Sequence, residues 1–203
     1  MNRSILPNPG LELLEDRAVP TVYLVDTSLD LVKNDGLVSL REAVLAANTG
    51  QPVGDAPAGD GNDQINFAAA LAGQSIGLQQ NFGPSALGNT ALAVSRNLSI
   101  EGLPAGTLSS VVIRNDASYG DRRLFLVQPG ANLQLNDVIL SDGTSVGDSG
   151  LTGSNGGGGG GGGAGMGGAI LNQGSLGITN STIKNNLAVG GLSLIHISEP
   201  TRP

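Results

Sequence analysis

Residues 21–36, TVYLVDTSLDLVKNDG, read as a strand that ends in a polar turn at Asn34-Asp35-Gly36. The next stretch, SLREAVLAAN, has a different period. Ser39 is a good N-cap and Glu42, three residues on, completes a capping box. Leu40, Ala43, Val44 and Ala47 then share one face at helical spacing, which predicts a short helix ending near Asn48-Thr49-Gly50. Beyond the polar loop QPVGDAPAGDGND the helical period is lost. INF, SIGL, LAVS, LSIEG, VVIRN, LFLVQ, LQLND, VILSDG, AILNQ, LGITN and STIKNN are short apolar-polar runs bounded by Gly, Asn, Asp or Pro. Each predicts a short strand.

Two regularities organise those strands. Ile100, Ile113 and Leu126 follow one another at intervals of 13 residues. LQLNDVILSDG also aligns with LGITNSTIKNN, placing Leu133 over Leu176, Leu135 over Ile178 and Leu140 over Ile183. The corners Asp142-Gly143 and Asn185-Asn186 then coincide. A hairpin meander would need two-residue Asn-Gly or Asp-Gly turns between alternating strands, and these are nearly missing. Asn, Asp and Gly at corners suit a chain that turns between strands and stacks one coil on the next. The expected fold is therefore all-β: a right-handed parallel β-helix, or solenoid, with coils of roughly 20–25 residues and a short N-terminal capping helix. The eight glycines 156–163 interrupt this cadence and are expected to form a flexible loop thrown out from a corner. A phosphate-cradling loop is excluded, because no Lys-Ser/Thr follows.

Composition narrows the function. With 203 residues, 33 of them Gly and only 2% aromatic, the core must be thin and aliphatic, which suits stacked repeats. A net charge of −7 without a basic cluster argues against nucleic acid and anionic membrane as partners. There is no Cys, so disulfides and thiolate metal sites are excluded. No apolar run approaches the ~18 residues of a membrane span. Near the start, Leu14, Glu15, Asp16, Arg17, Val19 and Pro20 resemble a short N-terminal tag of large exported bacterial surface proteins.

VSLREAVLAAN, DQINFAAALAGQSIGL, LAVSRNLSIEG, RLFLVQPGANLQLNDVILSDG and GGAILNQGSLGITNSTIKNNLA together resemble bacterial right-handed β-helix surface proteins. These carry a Cys-Ser-Leu-Arg-Glu-Ala box and are related to polymorphic-outer-membrane-protein-like and surface-anchored repeat families. Ser39, Leu40, Arg41, Glu42 and Ala43 match the box, with Val38 where the family often has Cys. Gly167, Gly168, Ala169, Ile170, Asn172 and Asn185 match its repeat. The resemblance runs from Thr21 to Ala188. It implies a pectin-lyase-like fold and a large secreted or cell-surface protein that displays loops or binds extracellular polysaccharide or protein, without catalysis.

Three clusters hold side chains that could do chemistry. Asp116, Asp121, Arg122 and Arg123 in RNDASYGDRR could supply the acids and bases of a carbohydrate-active lyase or hydrolase, but a solvated, self-neutralising turn explains them more simply. Asp60, Asn62 and Asp63 in GDGNDQINF offer oxygens to a calcium ion. Such sites form between consecutive copies of the motif, and only one copy is present; a turn feeding the next strand is expected. Asn180, Asn185 and Asn186 could face sugar, yet Asn at stacked corners more often satisfies backbone groups from coil to coil.

The last twelve residues, LSLIHISEPTRP, break the cadence and hold the chain's only histidine, His196. They look like the in-frame translation of a sequencing-library transposon-end adapter, so the chain is expected to be an N-terminal fragment in which His196 has no role. The expected organisation is an export- or sorting-like segment at 1–20 and a capping strand and helix at 21–50. β-helix coils occupy 51–191, with a Gly-rich loop at 144–168, and the non-native 192–203 follows. The expected protein is a structural or adhesive bacterial surface or secreted module, not an enzyme. No catalytic, cofactor-binding or metal-binding residue is assigned. A carbohydrate-active enzyme with its active site further along the gene is the alternative.

Overall fold

The computed structural model describes residues 20–82, 87–103, 110–152 and 159–194. His196, Leu14 to Val19 and Gly156 to Gly158 lie outside them. The described chain is mostly β with one α-helix, and every pairing between its named strands is parallel. No described helix is long and apolar enough to cross a membrane.

Strand β1 (Val22–Val25) leads through an extended loop to α1 (Leu40–Thr49), capped by Ser39 and Glu42 in the expected box and closed by Gly50 in the left-handed region. The chain then enters three sheets in a fixed order. It runs through β2 (Asn62–Phe67), β3 (Ser75–Leu78) and β4 (Thr90–Val94), then β5 (Asn97–Glu101), β6 (Val112–Asn115) and β7 (Arg123–Val127). Next come β8 (Asn132–Asn136), β9 (Ile139–Ser141), β10 (Thr144–Val146) and β11 (Ile170–Asn172), then β12 (Ser175–Thr179), β13 (Thr182–Lys184) and β14 (Leu187–Val189). The sheets are ordered β1-β2-β5-β8-β12, β3-β6-β9-β13 and β4-β7-β11, with β10-β14 as a separate pair.

Like stacks on like inside. Ile65, Ile100, Leu135 and Ile178 form one column, and Ile76, Ile113, Leu140 and Ile183 another. All are fully buried except the last of each, Ile178 and Ile183, which are 41% and 47% exposed on the open side of the stack. Leu40, Ala43, Val44, Ala46 and Ala47 of α1 are buried as the helix packs against β1, β2 and β4. Aliphatic burial of this kind is the main favourable term in a core nearly free of aromatics.

The expected alignment is realised: Leu133 pairs with Leu176, Leu135 with Ile178 and Leu140 with Ile183. Its corners repeat as well, since Asp137, Asp142, Asn180 and Asn185 all have positive φ, near 54°, 60°, 49° and 55°. The expected coil length of 20–25 residues is too short. Side chains that meet across adjacent strands are 35 residues apart between β2 and β5 and again between β5 and β8, and the corner residues Gly143 and Asn186, bonded from one layer to the next, are 43 apart. The 13-residue interval is instead the step from one sheet to the next, because Ile100, Ile113 and Leu126 sit in β5, β6 and β7.

The described part of the glycine run, 159–163, has no regular secondary structure, as the expected loop does, but it packs against neighbouring backbone. Its described residues are hydrogen-bonded on both sides: Gly163 N–H donates to Asp148 O, Gly191 N–H to Gly163 O, and Leu194 N–H to Gly160 O. A Cβ at Gly162 would collide with the Gly191 carbonyl, and one at Gly191 with the Asp148 carbonyl. Glycine is required there because backbone packs directly on backbone.

Candidate functional site

The outward side chains of the five-stranded sheet make its most distinctive surface. Period-two alternation sends Asp63, Ile65 and Phe67 inward and Asn62, Gln64 and Asn66 outward from β2. The same alternation in β5 presents Asn97, Ser99 and Glu101, and in β8 Asn132, Gln134 and Asn136. Parallel register aligns them in three columns, Asn62-Asn97-Asn132, Gln64-Ser99-Gln134 and Asn66-Glu101-Asn136.

These groups bond to one another without exhausting their capacity. Asn97 Nδ2 donates to Asn62 Oδ1 at 2.7 Å, and Gln64 Nε2 to Asn66 Oδ1 at 2.8 Å. Gln134 Nε2 donates to Asn132 Oδ1 at 2.8 Å. Glu101 Oε1 accepts from Asn136 Nδ2 at 2.8 Å and from Ser99 Oγ. Each amide carries two N–H donors and two oxygen lone pairs, so these contacts fix the side chains while leaving groups that can turn to solvent.

At one end of this face lies a cavity of about 480 Å³, lined by Leu24, Gln64, Asn66, Phe67, Glu101, Gly102, Leu103 and Asp137. Gly102 shapes it: its N–H donates to Asn136 O at 2.7 Å, and a Cβ there would collide with the Asp137 carbonyl. Two acidic residues, Glu101 and Asp137, are thus among those that border a concavity with a partly apolar wall.

The residues singled out from sequence do other work. Asp63 is buried and accepts from the backbone N–H groups of Asp60 and Gly61, while Asp60 accepts from Asn62 N–H, so the three oxygens serve their own turn. Asn62 then belongs to the amide face. Among the described residues, no three His, Cys, Asp or Glu side chains are grouped to hold a metal ion. In the 180–186 corners, Asn186 Nδ2 donates to Leu140 O while its Oδ1 accepts from Gly143 N–H, tying one layer to the next.

The RNDASYGDRR corner is not the solvated, self-neutralising turn expected from its charges. Asp116 and Asp121 remain at the surface side, but Arg122 and Arg123 are buried and point apart. Arg122 donates to Leu78 O, Asn81 Oδ1 and Tyr119 O. Arg123, with no exposed surface, donates to Leu87 O, Met166 O, Gly167 O, Thr90 Oγ1 and Ser145 Oγ, clamping both ends of the glycine-rich segment. Burial lowers the pKa of both guanidiniums from the usual arginine value; for Arg122 the neighbouring Arg41 charge adds to this. Burial would raise the Asp116 carboxyl, but hydrogen bonds from Ser118 and Gln79 and the Arg114 charge outweigh it and leave the pKa lowered.

The amide face was missed in the sequence although a signal exists. NDQIN, NLSIE and NLQLN recur at 35-residue spacing, each starting with Asn and carrying a polar residue at every second position. No family model, curated protein or solved structure matches the chain.

Proposed function

We propose that this chain is a structural or adhesive module of a bacterial cell-surface or secreted protein, built as a right-handed parallel β-helix and not itself catalytic. The observation that carries the reading is the parallel register that repeats through all three larger sheets, with positive-φ Asp and Asn corners matching between the last two layers. Stacked units of this kind make long, rigid display surfaces.

The Ser-Leu-Arg-Glu-Ala box supports the family resemblance through packing: Ser39 and Glu42 cap the helix, Leu40 and Ala43 are core, and Arg41 forms a buried ion pair with Asp30. Extracellular polysaccharide or protein is the proposed partner class. Antibody labelling of intact cells of the bacterium that carries the gene is expected to detect the chain without lysis. Signal only after lysis overturns the surface assignment.

A second reading, a carbohydrate-active enzyme, is favoured by Glu101 and Asp137 sharing one cavity. Release of reducing ends or unsaturated products from a polysaccharide panel would establish it in place of the non-catalytic one.

A further inference from the structure

We infer that the amide face and the cavity beside Glu101 bind a neutral, linear polysaccharide. This rests on the adhesive reading above and gives it a site and a ligand class. Neither the three aligned columns nor the cavity lining contains a Lys or Arg, whereas Glu101 and Asp137 put acids at the cavity. Uronates, sulfated glycans and phosphate polymers would meet repulsion at the cavity, while Arg96, next to Asn97, lies toward Gly61 at the other end of the strands.

A neutral sugar needs both donors and acceptors, since each hydroxyl does both, and side-chain amides supply the pair. Strands about 4.8 Å apart repeat the columns at an interval comparable to a sugar ring, so a chain lying across them meets fresh amides at each strand. Leu24, Leu103 and Phe67 give the cavity an apolar wall for the C–H face of a ring. Its volume of about 480 Å³ lies within the range of small-ligand pockets. The internal bonds among the amides hold them in place before binding, which lowers the ordering cost.

The test is titration calorimetry of the full chain with cellohexaose, mannohexaose and xylohexaose, and with polygalacturonate as an acidic comparison. At least one neutral hexasaccharide is expected to bind and polygalacturonate is not. Gln64→Ala combined with Asn66→Ala should weaken binding by about tenfold or more, since each lost hydrogen bond removes about 1 kcal/mol. Both residues are partly exposed, and an unchanged melting temperature will show that the fold is intact.

Absence of binding to all three neutral probes, preference for polygalacturonate, or full binding by the double variant overturns the inference. Surface labelling of intact cells is read independently, so the adhesive reading survives if this site fails. Cleavage of a bound hexasaccharide would support the site while overturning the non-catalytic reading.

Discussion

Arg41 shows how a polar residue inside a short motif can be wholly structural. Its Nε and Nη2 donate to the two carboxylate oxygens of Asp30 at 2.7 and 2.8 Å, and its Nη1 donates to Ala91 O. Asp30 also accepts from the backbone N–H groups of Gln79 and Gln80, so one buried pair joins the N-terminal loop, α1 and the turn before β4. Arg41→Ala leaves a carboxylate buried and unpaired, and should cost about 3–5 kcal/mol in urea unfolding. The apolar double replacement Asp30→Leu with Arg41→Met should recover much of that loss. Tyr23 is the opposite case. Its buried hydroxyl has no partner among the described residues, and burial, aided by the Asp63 and Asp60 charges, holds its pKa well above the ordinary value of 10.0. An unfolded tyrosine ionises near that value while the native one stays protonated, so stability should fall as pH rises above it. Tyr23→Phe should change the urea midpoint little at neutral pH, by less than about 1 kcal/mol, and flatten the alkaline decline.

Among the elements, α1 was legible from sequence because its cap, its apolar face and its terminating glycine are all local. The short strands were legible for the same reason, apart from β10, which falls inside the segment 144–168 expected as a Gly-rich loop, and β14, which is defined by its pairing with β10. The packing of the glycine run has no signal in the sequence, because a stretch without side chains carries no pattern and its contacts come from distant backbone. That packing makes a sharp prediction. A Cβ at Gly161 meets nothing within 4 Å, whereas one at Gly162 strikes the Gly191 carbonyl. Gly162→Ala should therefore open the segment to limited proteolysis while Gly161→Ala behaves as wild type. Equal resistance of the two would mean the backbone packing contributes nothing.

Among the described residues, α1 packs on one side of the sheets, and on the other β12, β13 and β14 present edges with no further strand and the exposed apolar residues Ile178, Ile183, Leu187 and Val189. Unpaired edges with apolar side chains invite association. Sedimentation velocity should show concentration-dependent self-association that Ile183→Lys reduces without lowering the melting temperature, since Ile183 is already 47% exposed. The sequence alone determined the helix and its cap, most strand positions, the polar corners and the parallel stacking, because propensity, alternation and turn chemistry act over a few residues. Only the tertiary structure decided which distant strands pair, the inward turn of Arg122 and Arg123, the packed glycines and the gathering of amides on one face. The others depend on which distant strands become neighbours, and parallel pairing across more than 30 residues leaves no local trace in any one segment.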